Sequence, residues 1–219
     1  MKLAAIVVGI WSTAGAAGAA PVAPGEWTST VAATVTAGGQ TKSLTSTMYN
    51  SEAVHGWREE AAGHPTVVTL FDAGADQMGM QMAVDQSNKC QEWCPPTSTY
   101  FNSIKVGDGK NGTSVAKETG TNTWSWTDNL FVIAMDHKEL QFASDTGATP
   151  LRLVEQFTPF GKSIGNGTST YSEFKASADP AKFEVTGMKD CQQSPSCQQG
   201  LASMRMTGPM MRLVQEEFV

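Results

Sequence analysis

The chain has 219 residues, with 15 lysines and arginines against 21 aspartates and glutamates, which gives a formal net charge of −6. The positive residues are scattered, so no basic stripe faces the phosphates of a nucleic acid, and nucleic-acid binding is excluded as the expected function. The length suffices for one domain with a sizeable core.

The first residues have the pattern of a signal peptide. Lys2 supplies a positive charge, an apolar run from Leu3 to Trp11 follows, and Ala17-Gly18-Ala19 provides the small residues that a signal peptidase requires. This run is too short to span a bilayer, and no later window reaches the ~18 uninterrupted apolar residues of a transmembrane helix. We therefore expect residues 1–19 to be removed and residues 20–219 to form one secreted domain, with a C-terminal tail from about residue 198.

The cysteine content agrees with export. Four cysteines follow the predicted signal peptide: Cys90, Cys94, Cys191 and Cys197. An even number in an exported chain predicts two disulfides, although the count alone permits three connectivities. A zinc site is disfavoured because Cys-x3-Cys with Cys-x5-Cys matches no usual ligand spacing.

Two glycosylation sequons are present, Asn111-Gly112-Thr113 and Asn166-Gly167-Thr168. Both lie among turn-forming residues, where an attached sugar would be solvated. In a eukaryotic source, Asn111 and Asn166 are both expected to be modified.

Strand-like alternation begins at Trp27. Trp27, Val31, Ala33 and Val35 alternate with threonines, which predicts a half-buried strand. Gly38-Gly39 then reverses the chain into a second β-like run, Thr41 to Asn50, so a hairpin is expected. Further β-like runs are Val54 to Glu60, Thr66 to Phe71, Met78 to Val84, Thr123 to Thr127, Leu130 to Asp136, Glu139 to Ala143, Leu151 to Phe157 and Ser169 to Phe174.

About ten short strands with turn signals between them indicate a mostly β protein. No long amphipathic helical stretch separates the strands, so an antiparallel meander is favoured over a parallel sheet. Short helical segments are expected near Asp179 to Phe183 and Gly200 to Leu213. A sheet of this width is expected to curl into an open barrel or to split into a sandwich.

The clearest side-specific signal is a methionine face. Met78, Met80, Met82 and Val84 occur at alternate positions and therefore project from one side of a strand. Such a face is either packed core or a wall that adapts to an apolar ligand, because thioethers are flexible and polarizable. Trp124 and Trp126 share one face of another strand and raise the same two alternatives.

Catalytic signals are weak. Gly161-Lys162-Ser163-Ile164-Gly165 formally matches the nucleophile elbow of α/β-hydrolases, but Asn166-Gly167 follows where a helix is required, and all three histidines precede Ser163. A glycine-rich turn is the better interpretation, and the protein is not expected to be an enzyme. Asp72 and Asp76 flank a turn but lack the dense carboxylates of an EF-hand loop, so no metal ligands are assigned.

Several landmarks occur together in an order that resembles the ependymin-related family. Tyr49-Asn50, Trp57-Arg58-Glu59-Glu60, Leu70-Phe71-Asp72 and the run from Met82 to Cys90 resemble its strand ending in Tyr-Asp, its charged strand, its Leu-Phe strand and its Ile-Asp turn leading to a cysteine. The run from Phe174 to Val185, with Asp179-Pro180 and Phe183, resembles the closing segment before a cysteine, here Cys191. The resemblance spans roughly Thr34 to Cys191.

This resemblance implies a fold similar to bacterial lipoprotein carriers: a curved antiparallel sheet forming a half-open barrel around an apolar cavity. It also implies a secreted, non-enzymatic protein, often a homodimer, associated with calcium and with hydrophobic ligands. It pairs Cys90 with Cys191, which leaves Cys94 for Cys197. The chain departs from the family in carrying Cys94 and Cys197 and in lacking an early cysteine of many vertebrate members.

The leading hypothesis is therefore a secreted glycoprotein that binds a lipid or fatty acyl chain in an apolar cavity, with Met78, Met80, Met82, Val84, Trp124 and Trp126 as candidate ligand contacts. The alternative is a structural or adhesive glycoprotein of the extracellular matrix that has no ligand. In that case the protein's own side chains would fill the cavity.

Overall fold

The computed structural model describes residues 19–72, 79–96, 100, 102–110, 113–131, 134–144, 148–159, 165–195 and 197. Its strands are β1 (Glu26–Ala37), β2 (Gln40–Ser51), β3 (Gly56–Ala61), β4 (Thr66–Leu70), β5 (Met80–Val84), β6 (Cys90–Cys94), β7 (Lys117–Gly120), β8 (Thr123–Phe131), β9 (Ala134–Phe142), β10 (Pro150–Pro159), β11 (Gly165–Lys175) and β12 (Gln192–Gln193). Two short 3₁₀ helices, Pro180–Phe183 and Met188–Asp190, precede β12. Within these ranges, no helix has the length and apolar character needed to cross a lipid bilayer.

All twelve strands belong to one sheet, in the order β12-β6-β5-β4-β3-β2-β1-β11-β10-β9-β8-β7. Neighbouring strands are antiparallel except β12 and β6, which run parallel. Because β12 and β7 lie at opposite edges, the curved sheet remains open. The predicted mostly β fold, a curved antiparallel sheet with short helical segments that does not close, is confirmed.

The predicted first hairpin is also present. Gly38 and Gly39 have positive φ angles of 57° and 81° and connect β1 to β2, which pair along their full length. Glycine adopts this left-handed conformation without the steric cost that a Cβ would add.

Cross-strand register gives the sheet two distinct faces, because directly paired residues project from the same side. We call the side that carries Trp27 and Leu153 the front face. The side that carries Thr28 and Met82 is the back face; Thr28, Tyr49, Arg58, Val68 and Met82 follow one another there in register across β1 to β5.

A large apolar cluster covers the front face of β1, β2 and β8 to β11. Its buried members are Trp27, Val31, Met48, Ile104, Val106, Trp124, Trp126, Leu140, Phe142, Leu153 and Tyr171. Ile104 and Val106 belong to no strand; they come from the segment 102–110, which lies across the sheet as a cover. The core is therefore completed by residues remote in sequence from most of the strands beneath them.

A second, smaller cluster lies on the back face near β4 to β6. It contains Val68, Met80, Met82, Val84 and Cys90, with Val185, Met188 and Cys191 packed against it. Residues 180–193 form what we call the C-terminal clamp, which covers this part of the back face. Elsewhere the back face is largely polar, and Thr170 and Gln141 are exposed there.

Covalent and polar contacts hold the clamp in place. Disulfides join Cys90 to Cys191 and Cys94 to Cys197, the pairing that the ependymin resemblance implies. The buried Arg58 guanidinium donates from Nη1 to the Lys182 carbonyl at 2.9 Å, and Lys182 Nζ donates to Glu60 Oε1 at 3.0 Å. The clamp is thus tied to β3 and to β6.

The structure corrects several strand boundaries. The run Leu130 to Asp136, predicted as one strand, spans the end of β8 and the start of β9, because pairing between these strands requires a reversal inside it. The predicted strand from Val54 begins only at Gly56. Strands β6, β7 and β12 were not predicted; they are short and lack apolar alternation. Residues 1–18 and the predicted helical segment Gly200 to Leu213 lie outside the described residues.

Candidate functional site

The cover segment 102–110 is fastened to the front face by side-chain hydrogen bonds. Trp27 Nε1 donates to Asn102 Oδ1 at 3.0 Å, and Asn102 Nδ2 donates to the Pro24 carbonyl at 2.8 Å. Within the segment, Ile104 is fully buried against the front cluster. An asparagine suits this position because its amide can donate and accept at once.

A pocket of about 640 Å³ opens between this segment and the front face of β8 and β9. Its lining residues are Glu52, Tyr100, Asn102, Ser103, Lys105, Val106, Gly107, Asp108, Lys110, Thr113, Trp126, Asp128 and Lys138. The volume is within the usual range of small-molecule sites. Charged and polar residues outnumber apolar ones in the lining, but apolar atoms contribute about half of its surface, so the pocket differs from the apolar cavity expected from the sequence.

One glycine shapes the wall of the pocket. A Cβ at Gly107 would lie 2.8 Å from the Trp126 indole and 2.3 Å from the Ser114 carbonyl oxygen. Real Cβ atoms do not approach other atoms so closely, so a larger residue would displace the cover from Trp126.

Three charged side chains meet at the floor of the pocket because of strand register. Trp126 on β8 pairs with Lys138 on β9, and Lys138 pairs with Glu155 on β10. Asp128 is two residues beyond Trp126 and so shares its face. Lys138 Nζ lies 2.9 Å from Asp128 Oδ2 and 3.4 Å from Glu155 Oε1, and all three residues are buried. We call Asp128, Lys138 and Glu155 the ionic floor.

Two tyrosine hydroxyls near the pocket are held in the neutral state. Burial raises the pKa of Tyr171 well above its usual range; the negative charge of Glu155 adds to this, while a hydrogen bond with Ser103 opposes it. Burial also raises the pKa of Tyr100, to about 12, against the opposing effect of a hydrogen bond with Asn50. Both groups therefore remain protonated at neutral pH.

The tryptophans predicted as ligand contacts lie on the front face. Trp126 lines the pocket, whereas Trp124 belongs to the packed cluster beside it and is absent from the lining. The indole Nε1 of Trp124 is buried and has no hydrogen-bond partner among the described residues.

The methionine face lies on the other side of the sheet. Met80, Met82 and Val84 pair in register with Leu70, Val68 and Thr66, and project from the back face beneath the C-terminal clamp. Met78 lies outside the described residues. The methionine and tryptophan candidates therefore lie on opposite faces of the sheet. Alternation places residues on one side of their own strand, but only pairing across the sheet relates that side to the side of another strand.

The remaining predicted sites are placed as follows. Asn166 is exposed near the start of β11, paired with Thr36 and Gln156, rather than in the predicted turn. Asn111 and Asp76 lie outside the described residues, and Asp72 contacts His55 Nδ1 through its carboxylate. In the part of the chain that the structure describes, no group of three or more histidine, cysteine or acidic side chains is arranged to hold a metal ion.

Sequence reasoning missed the ionic floor, although part of the signal was present. Asp128 continues the alternation of Trp124 and Trp126, and Lys138 alternates with Leu140. Both patterns place a charged residue on an apolar face, which is uncommon unless the charge is paired.

No protein-family model matches the chain, and no curated protein matches it either, so the ependymin resemblance remains an interpretation of the sequence. Among solved structures, the fold is similar to a DUF1329 family protein from Desulfovibrio piger, with 9% identity over 74% of this chain and 90% of that one and a TM-score of 0.31. It is also similar to a LolA superfamily protein from Nitrosomonas europaea, with 9% identity over 72% of this chain and 88% of that one and a TM-score of 0.29. Both similarities concern the arrangement of strands alone.

Proposed function

We propose that this protein is a secreted, non-enzymatic binding protein that holds a small amphipathic molecule in the front pocket. The observation that carries the proposal is the pocket of about 640 Å³, bounded by a firmly anchored cover segment and floored by buried charges. Burying charged groups is costly, so a protein that needed only a packed core would gain stability by replacing them with apolar side chains.

The composition of the lining argues for an amphipathic ligand rather than a pure hydrocarbon. Trp126, Val106 and Tyr100 offer apolar surface, whereas Asp128 and Lys138 offer polar atoms at the floor. A ligand with one polar end can satisfy both parts, as expected for sites in which a few polar groups fix orientation. This refines the lipid-binding hypothesis toward molecules that have a compact polar head.

Secretion and glycosylation are part of the same proposal. The signal-peptide pattern and the two long-range disulfides, Cys90–Cys191 and Cys94–Cys197, suit an oxidising compartment. Asn166 is exposed, as a glycan acceptor must be.

The pocket can be tested by native mass spectrometry of the purified protein, followed by calorimetric titration with short-chain amphiphiles. Lys110→Trp places a bulky indole in the pocket lining and should weaken binding by about tenfold or more. The matched control, Lys117→Trp, makes the same exchange at an exposed position on β7 and should leave binding unchanged. Equal affinities of both variants and the natural chain would show that the front pocket is not the site.

A structural role without a ligand is the second candidate. It is favoured by the front and back apolar clusters, which the protein fills with its own side chains. This role predicts no copurified molecule and no heat of binding with any amphiphile.

A further inference from the structure

The ionic floor has more negative than positive groups. Lys138 is only 3% exposed and is the one cation among its three residues, whereas Asp128 and Glu155 both lie within ion-pair distance of it. The neutral Tyr171 hydroxyl adds no positive charge. Within the floor, Lys138 therefore faces two carboxylates.

One oxygen of the floor is available for a ligand. Asp128 is about nine-tenths buried and lines the pocket, and its Oδ2 contacts Lys138. Its Oδ1 is buried and accepts no hydrogen bond from any of the residues that the structure describes. A buried carboxylate oxygen without a donor is costly, and a donor supplied by a ligand would remove that cost.

We propose that the front pocket selects ligands whose polar head is a primary ammonium group, which donates to Asp128 Oδ1. This inference rests on the proposed function and names its ligand class. The Trp126 indole, on the same face as Asp128, adds an aromatic surface beside which a cation is stabilised.

The charges at the rim do not reverse this preference. Lys105 is exposed and lies 3.5 Å from Asp108, so the two largely cancel. Lys110 and Glu52 have opposite charges, and exposed charges such as Lys110 are screened by salt. A carboxylate head, by contrast, would face Asp128 at close range in a poorly solvated site, where repulsion between like charges is strongest.

The test compares four ligands with one hydrocarbon chain and different heads: octylammonium, octanol, octanoate and octyltrimethylammonium. Calorimetric titration of the full, oxidised protein should show octylammonium binding about tenfold or more tightly than octanoate and octyltrimethylammonium, because only the primary ammonium combines charge with donor hydrogens. Asp128→Asn should weaken octylammonium binding by about tenfold or more and change octanol binding little. Asp190→Asn, the same exchange in the 3₁₀ helix of the C-terminal clamp, should change neither.

The outcomes separate this inference from the proposed function. Suppose that amphiphiles bind and that Lys110→Trp weakens their binding, but that octanoate or octyltrimethylammonium binds as tightly as octylammonium. The pocket is then a binding site, and the ammonium assignment is wrong. The assignment is equally overturned if folded Asp128→Asn, verified by circular dichroism, keeps full octylammonium affinity. If none of the four ligands binds, the proposed function itself fails.

Discussion

Lys138 offers the sharpest test of the ionic floor. In Lys138→Met, the apolar stem is retained, and the cation that lies within ion-pair distance of both buried carboxylates is lost. At an effective dielectric constant of about 20, separations of 2.9 Å and 3.4 Å correspond to attractions of roughly 6 and 5 kcal/mol, most of which desolvation and repulsion between the carboxylates offset. We therefore expect a net loss of about 3–5 kcal/mol in the free energy of unfolding.

The measurement is urea unfolding of the oxidised protein, followed by tryptophan fluorescence. For a domain of this size, the expected loss corresponds to a fall of about 6–20 °C in melting temperature. The triple variant Asp128→Asn/Lys138→Met/Glu155→Gln removes all three charges and should recover most of the loss, to within about 2 kcal/mol of the natural chain.

The refuting result is a small effect of the single variant. If Lys138→Met lowers the free energy of unfolding by less than about 1 kcal/mol at neutral pH, the three residues do not form a buried charged cluster, and the electrostatic argument for the ligand class fails.

Two further predictions concern the back face and the C-terminal clamp. Met82→Ala should lower the free energy of unfolding by about 2–5 kcal/mol, because Met82 is fully buried, and should leave octylammonium affinity unchanged. The control Gln141→Ala, at an exposed back-face position, should lower the free energy of unfolding by about 0.5 kcal/mol or less. A large loss of affinity in folded Met82→Ala would show that the back face contributes to the site. The second prediction concerns the pair of Glu60 and Lys182. Burial alone would raise the pKa of Glu60, but hydrogen bonds from Lys182 and Arg58 outweigh burial and lower this pKa below 4.5. The hydrogen bond to Glu60 in turn raises the pKa of Lys182 above 10.5. The stabilisation from this pair should therefore be fully present between about pH 5 and 10, and be lost as pH falls through the lowered value or rises through the raised one. The stability difference between the natural chain and Glu60→Gln, measured across pH, should follow this profile, and a difference independent of pH would contradict it.

Local pattern was sufficient for the fold class. The alternation that begins at Trp27 and the Gly38-Gly39 reversal predict the first hairpin, because strand periodicity and turn chemistry are properties of neighbouring residues. The methionine alternation likewise predicts a strand whose Met80 and Met82 share one side. Such inferences need no knowledge of the rest of the chain.

Strand boundaries and short edge strands were harder to predict from the sequence. The apolar run from Leu130 to Asp136 has the composition of one strand, yet β8 ends at Phe131 and β9 begins at Ala134 because pairing with each other outweighs local propensity. Strand β6 is defined by its pairing with β5 and β12, and its own sequence, from Cys90 to Cys94, has no clear period.

The sequence by itself determined that this is an antiparallel β protein with four cysteines and an apolar face on several strands. Only the tertiary structure decided that the tryptophans and the methionines face opposite sides, which segments cover each side, and that Asp128, Lys138 and Glu155 meet beneath a pocket. The physical reason is that alternation only separates the residues of one strand into two sides. Which sides of different strands share a face depends on cross-strand register, and which segment covers that face depends on distant parts of the chain. Residues 102–110 and 180–193 supply those covers, and their positions depend on long-range hydrogen bonds and disulfides.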